Sequence, residues 1–395
     1  MSAFNPRSFT SPDRLRSMSA SHLIMFFGRW SEYFAGRGLD LAGVSANDFP
    51  YEKLAKILLE PDQSVPEPMV NALFYVHETA TDEAMNELLD RAKSAGIDGL
   101  IEPSPSPADV ALQIWLTRPD LLELQHAESV AFSRSNYMYF AGSRSGKNVV
   151  GAPTISDIHS KSMQNQMDIW FEAKRRGRQC RLFVFPRGDK IWILVRHGMP
   201  MRREGKHQDD GETGIAFYRP QLHDVLIYDC ESDEIGVNAG TKGERDLYLE
   251  TLGQVLFEKA DYFNLSKRYT LDPLREFGPA SMAYGDIKGI TGVRFVEFGR
   301  RWAGKMPEME TRRCDDLFKA YGDSWAKRLA GGLLTHATFK FKFEGSKRER
   351  SVTIRPANIA RYERESDEEV IEAWLKQRGF WAGTDDGDDE VLEGT

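Results

Sequence analysis

Between Gln179 and Ala239, short apolar runs rich in β-branched and aromatic residues alternate with turn residues at close spacing. That pattern predicts an antiparallel sheet made of successive hairpins. Residues 182–185 and 191–195 flank Gly188-Asp189, where a glycine in first place suits a two-residue turn. Residues 225–228 and 235–238 flank Glu231-Ser232-Asp233, which reads as a solvated turn. A strand over 137–140 and a helix from Thr154 or Ser156 to Arg176 precede this meander, the helix burying Ile158, Met163, Met167, Trp170 and Phe171. A helix over 243–259 follows it, carrying Leu247, Leu249, Leu252, Val255, Leu256 and Phe257.

Residues 1–100 show no strand alternation and predict an all-α module. Leu23, Ile24, Phe26, Phe27, Trp30 and Phe34 give one helix, ending near Gly36, an apolar face too broad for the surface. Shorter helices follow over 51–60 and 69–78, and Thr81 caps another that ends at Gly96. Glu102-Pro103-Ser104-Pro105-Ser106-Pro107 punctuates the chain, then supplies a helix start: Ser106 as N-cap, Pro107 in the first turn and Asp109 at N3. Beyond Lys267, residues 294–298, the alternation Thr338-Phe339-Lys340-Phe341-Lys342-Phe343 and residues 352–355 read as strands, each with one polar face. Ser366 and Glu369 form a capping box for a last helix with Val370, Ile371, Trp374 and Leu375 as its apolar face, stopped by Gly379. The fold class is therefore α+β: an all-α N-terminal domain followed by one or two antiparallel-sheet α+β modules. The expected division is 1–100 helical, 101–130 linker and helix, 131–265 central, 266–382 C-terminal, and 383–395 a disordered acidic tail.

Composition adds a bound. At 28% charged and 41% hydrophobic the 395 residues describe an ordinary globular protein with no membrane-length apolar run and no secretory signal. Three widely spaced cysteines make neither a disulfide framework nor a zinc site and suit the cytoplasm. Charge changes the picture more. The formal net charge is -8, yet residues 1–127 hold 10 basic against 18 acidic residues, and 385–395 hold six acids, leaving about +6 for the middle. Residues 170–207 hold eleven basic residues against three acidic ones. Such asymmetry points to a polyanionic partner, or to an acidic surface of the same chain.

Three motifs suggest catalysis. Ala141-Gly142-Ser143-Arg144-Ser145-Gly146-Lys147-Asn148 resembles a phosphate-binding P-loop, but lacks its first glycine, its Mg²⁺-holding hydroxyl and a following helix. Val195-Arg196-His197-Gly198 resembles the Arg-His-Gly motif of histidine phosphatases, without their second catalytic histidine; a strand end bearing a surface histidine also explains it. Acids crowd 224–234, as in metal-dependent phosphodiesterases, but Glu234-Ile235-Gly236 lacks the acid-x-lysine step of restriction-type nucleases. No histidine spacing fits a metal site, and no cofactor is implied.

The basic cluster remains. Lys174, Arg175, Arg176 and Arg178 end a helix, Arg187 and Lys190 flank a turn, and Arg196, Arg202, Arg203 and Lys206 leave the next strand. If the strands pair as expected, several of these gather on one rim and bind nucleic acid. The first expectation is a non-catalytic accessory or sensor protein, with the helical N-terminal domain meeting a protein partner. Its arrangement resembles, in pattern, sensor or adaptor components of bacterial anti-phage systems. The second is a phosphoester-cleaving enzyme using Arg196, His197, Asp229 and Glu234. The third is a structural subunit.

Overall fold

The computed structural model describes residues 7–97, 105–143, 154–208, 211–304, 306–364 and 367–382. Residues 101–104 of the predicted linker, 144–148 of the P-loop-like turn, Ser366 and the 383–395 tail lie outside them. The chain divides into two compact units, Met1–Ser129 with Met201–Tyr218, and Val130–Pro200 with Arg219–Thr395.

The first unit is helical, apart from one hairpin. Its core centres on Phe26, whose ring meets Phe9 at 5.9 Å, Phe27 at 4.9 Å and Trp115 at 4.6 Å. The expected single helix is interrupted: Ala20–Phe27 passes through a 3₁₀ turn at Gly28–Trp30 before Ser31–Gly36 resumes. Helix Pro107–Thr117 starts as its sequence dictates, the Ser106 hydroxyl accepting from the Asp109 amide at 3.2 Å. Val110, Ala111, Leu112 and Ile114 are fully buried in the helical core, so this segment is part of that unit. Asp109, also buried, accepts from the Ser19 amide and from Gln113.

Thirteen strands occur among the described residues: β1 (Asn136–Ala141), β2 (Arg181–Arg187), β3 (Lys190–Gly198), β4 (Arg202–His207), β5 (Thr213–Tyr218), β6 (Gln221–Asp229), β7 (Glu234–Asn238), β8 (Asn264–Leu265), β9 (Ile290–Trp302), β10 (Glu308–Arg313), β11 (Leu333–Phe343), β12 (Arg350–Arg355) and β13 (Ile359–Arg361). Strands β4 and β5 pair only with each other and belong to the first unit. The rest form one antiparallel sheet in the order β10-β9-β11-β12-β13-β1-β7-β6-β3-β2, with β8 also on β1. The expected modules 131–265 and 266–382 thus share a sheet. β1 joins them, pairing with β13 through Asn136–Met138 and with β7 through Met138–Ala141. Gly188, at φ +56°, opens the two-residue turn between β2 and β3.

Alternation decides what covers each face. On one face Ile191, Ile193 and Val195 of β3 pack with Met163, Met167 and Phe171 of helix Asp157–Ala173 and with Tyr248 and Leu252 of helix Lys242–Phe257. On the other, Phe339 and Phe341 of β11 meet Trp374 of helix Glu368–Gln377 at 5.4 and 5.0 Å. That helix begins at Asp367, whose carboxylate makes no cap bond and instead receives Arg350 at 3.1 Å. The expected Ser366–Glu369 capping box falls on Ser366, outside the described residues.

The second face also buries charge. The Arg268 guanidinium donates to Glu234 at 2.5 Å and to Glu372 at 3.1 Å, between the rings of Tyr139 and Trp381 at 3.9 and 3.7 Å. Ser266 donates to Glu234 and Tyr362 to Glu372, so the carboxylates keep further partners. Lys190 adds ion pairs to Glu368 at 3.0 Å and Glu372 at 3.7 Å. Removing one partner of such a network strands a buried charge. Arg268→Met is therefore expected to destabilise the fold by about 3–5 kcal/mol, read as a lowered urea midpoint.

Candidate functional site

The seven predicted basic positions of the second unit do not form one rim. β3 is extended, so Lys190 and Arg196 stand about 20 Å apart along it. Lys190 is committed to Glu368 and Glu372, while Arg187 lies over the Phe132 ring at 3.9 Å. At the other end of β3 the helix terminus does arrive, the Arg176 carbonyl closing on Gly198. There Arg176 is paired with buried Glu244 and Arg178 with Glu172. Lys174 lies over Trp170, Arg196 over Phe183, and Arg175 is exposed. Arg202, Arg203 and Lys206 stand on the separate β4–β5 hairpin, exposed.

The catalytic alternative also comes apart, and this is a correction. His197 is buried, not superficial: odd positions of β3 face the two covering helices, and its ring stacks on Phe171 at 4.4 Å. Asp229 is the cross-strand partner of Lys190, at the far end of β3, while His197 opposes Leu222. Glu234 is neutralised by Arg268 on the opposite face. The turn expected to be solvated is half buried, with Asp233 taking hydroxyl donors from Tyr228 at 2.7 Å and Tyr262 at 2.8 Å.

His197 does have acidic neighbours. Its Nε2 lies 3.1 Å from Asp224 Oδ2 and 4.0 Å from Glu244 Oε1, a grouping that could hold a metal ion. The donor set argues otherwise. Tyr248 donates to the same Asp224 oxygen at 2.7 Å, Arg176 occupies Glu244 Oε1, and the Thr241 amide donates to Glu244 Oε2 at 2.6 Å. A cation there would face the Arg176 guanidinium and break the Tyr248 hydrogen bond to Asp224, so these residues do not fit a metal. They form a satisfied polar knot joining β3, β6 and helix Lys242–Phe257.

A different surface has the character the basic run lacks. On β9, β11, β12 and β13, the side of the sheet opposite Trp374 carries polar residues. Thr338 pairs across with Thr353, their hydroxyls 3.0 Å apart, Thr353 with Arg361, and Arg361 with Asn136. Lys340 opposes Ser351 on the same side. A cleft of about 570 Å³ lies here, its walls including Arg134, Asn136, Thr338, Thr353, Arg355 and Arg361. Arg355 and Arg361 are exposed and make no ion pair among the described residues. Arg134 donates to the His223 carbonyl at 3.1 Å, and its Nε is buried without a partner among the described residues. Glu297, the carboxylate of the cleft, is occupied by His336 at 3.3 Å and Arg313 at 3.7 Å. Sequence reading saw the alternation of 338–343 but not this gathering, because Arg134, Arg355 and Arg361 come from three separate elements.

Known protein families and curated proteins were compared with the chain, and none matches it.

Two measurements test the His197 knot. Asp224→Ala leaves His197 and Tyr248 without an acceptor and is expected to cost about 3 kcal/mol in urea unfolding, with Mn²⁺ or Zn²⁺ giving no saturable binding to the parent protein. Burial opposes ionisation of Glu244, but Thr241 and Arg176 outweigh it and hold the carboxyl below its usual range. Its stabilisation is then present above the usual carboxylate pKa and lost as pH falls through the lower folded value. Glu244→Gln should flatten that acid limb of the stability curve.

Proposed function

We propose that this protein is a non-catalytic accessory factor that binds nucleic acid or a similar polyanion on the open face of its sheet. The observation that carries this reading is the cleft where Arg134, Arg355 and Arg361 stand over a floor of threonine hydroxyls and the Asn136 amide. Arginine forks, hydroxyls and amides are the groups that take phosphate oxygens. Lys340 and Lys342 extend the positive surface along β11. Exposed large aromatic side chains are absent from these strand positions among the described residues, so contacts would go to the backbone rather than to stacked bases.

The β4–β5 hairpin supports a second, separate contact. Arg203 opposes Phe217, and Phe217 and Ile215 are 67% and 56% exposed. Arg202 and Lys206 lie on its other side. A basic ribbon with an exposed aromatic suits a nucleic-acid strand, and it keeps three of the residues expected from sequence in that role.

Fluorescence anisotropy with single- and double-stranded oligonucleotides across about 50 to about 200 mM salt tests the reading. Arg355→Glu with Arg361→Glu should weaken binding at low salt about tenfold or more and reduce the salt slope by about two. Unchanged affinity in that double variant, with its fold intact by circular dichroism, would remove the open face from the proposal.

A further inference from the structure

At the β10 edge, on the face opposite the open one, lies a second basic cavity of about 470 Å³. Its walls are Arg300, Arg312, Tyr321, Ser324, Lys327 and Arg328. We infer that it is a binding site for a phosphate-rich small anion, namely a di- or triphosphate group.

The floor is fixed before any ligand arrives. Arg300 is mostly buried, its Nε donating to Glu310 at 3.0 Å and its Nη1 to the carbonyls of Arg328 and Ala330. Its guanidinium also lies 4.5 Å from the Trp302 ring centre. The second oxygen of Glu310 holds Arg312 at 3.2 Å. Burial works against ionising Glu310, but Arg300 and then Arg312 prevail and keep it below the usual carboxylate range. One carboxylate thus aims two guanidinium groups and is used up in doing so. Lys327 and Arg328, from helix Trp325–Leu329, complete the walls and pair with no carboxylate among the described residues. Four cations against one acid leave three positive charges around a single cavity.

Like charges so confined repel, and a multivalent anion relieves them. The planar forks of Arg300, Arg312 and Arg328 match phosphate oxygens, and the Tyr321 and Ser324 hydroxyls add hydrogen-bonding capacity. The one aromatic ring in the lining among the described residues, Tyr321, already lies under the Arg328 guanidinium at 5.8 Å, so recognition falls on the phosphates rather than on a base or sugar. The side of the sheet separates this cavity from the cleft proposed above. Arg300 shares its face with Phe298, which stacks on core Phe295, whereas Glu297 lines the open side.

Isothermal titration of the full chain with inorganic triphosphate, ATP and AMP at one ionic strength tests this. Triphosphate and ATP should bind saturably and AMP far more weakly. ATP tighter than triphosphate assigns a nucleotide, and the reverse order assigns free polyphosphate. Lys327→Glu with Arg328→Glu, both exposed positions, should weaken triphosphate by about a hundredfold, at about tenfold per contact. The neutral pair Lys327→Gln with Arg328→Gln serves if charge reversal disturbs folding, and Arg355→Glu with Arg361→Glu should leave triphosphate binding unchanged. Absence of saturable heat with both triphosphate and ATP overturns the site. So does a folded Lys327/Arg328 variant that binds like the parent, or AMP binding equal to triphosphate.

Discussion

A guanidinium buried between two carboxylates decides how the sheet-bearing half of this chain holds together. Arg268 follows β8, Glu234 begins β7 and Glu372 lies in the last helix, so three distant segments meet at one charge. Taking such groups out of water costs several kcal/mol per ion, and their attraction offsets that only with good geometry and further hydrogen bonds. Ser266 and Tyr362 supply those bonds, and the Tyr139 and Trp381 rings cover the guanidinium faces. An arrangement in which one segment drifts away leaves a buried charge unmatched. This is the physical reason why the two strand groups flanking β1 behave as one sheet.

The same economy of space explains why one face is open. The last helix spends its apolar side on Phe339, Phe341 and Phe380, and helices Asp157–Ala173 and Lys242–Phe257 cover the opposite side only around β3, β6 and β7. Opposite Trp374, the strands β9 and β11 to β13 are therefore left to alternate outward with threonine, lysine and arginine, as an antiparallel sheet with one wet face does. A cleft forms where that wet face runs into the residues preceding β1. Its position follows from the fold boundary rather than from any local motif.

Much of the secondary structure was legible because it rests on local chemistry. Thr81 and Ser106 cap the helices they were expected to cap, and Gly188 makes its two-residue turn. The burial of Phe26, Phe27 and Phe34 followed from their spacing. What failed depended on tertiary neighbours. His197 looked superficial because a strand end in sequence gives no sign of the helix packed against it. Glu234 looked like a turn acid, and its partner Arg268 lies beyond the next helix. The site residues were least legible of all, since Arg134, Arg355 and Arg361 are isolated cations in sequence and meet only through the β12–β13–β1 pairing.

Linear charge density therefore misleads in a definite direction. The run 170–207 is dense in cations partly because it neutralises acids: Arg176 serves Glu244 and Lys190 serves Glu368 and Glu372 elsewhere in the chain, while Arg178 serves Glu172 within the run. A cation already paired in a buried site is a poor ligand for phosphate, because releasing it abandons a desolvated carboxylate, a loss larger than one exposed phosphate contact returns. Cations that remain after internal pairing are the ones left to attract a polyanion. By that measure Arg355 and Arg361 on the open face outrank Arg176 and Lys190. The net charge of -8 does not conflict with that, because the acidic excess lies in residues 1–127 and 385–395, while Arg355 and Arg361 belong to a stretch whose balance is about +6.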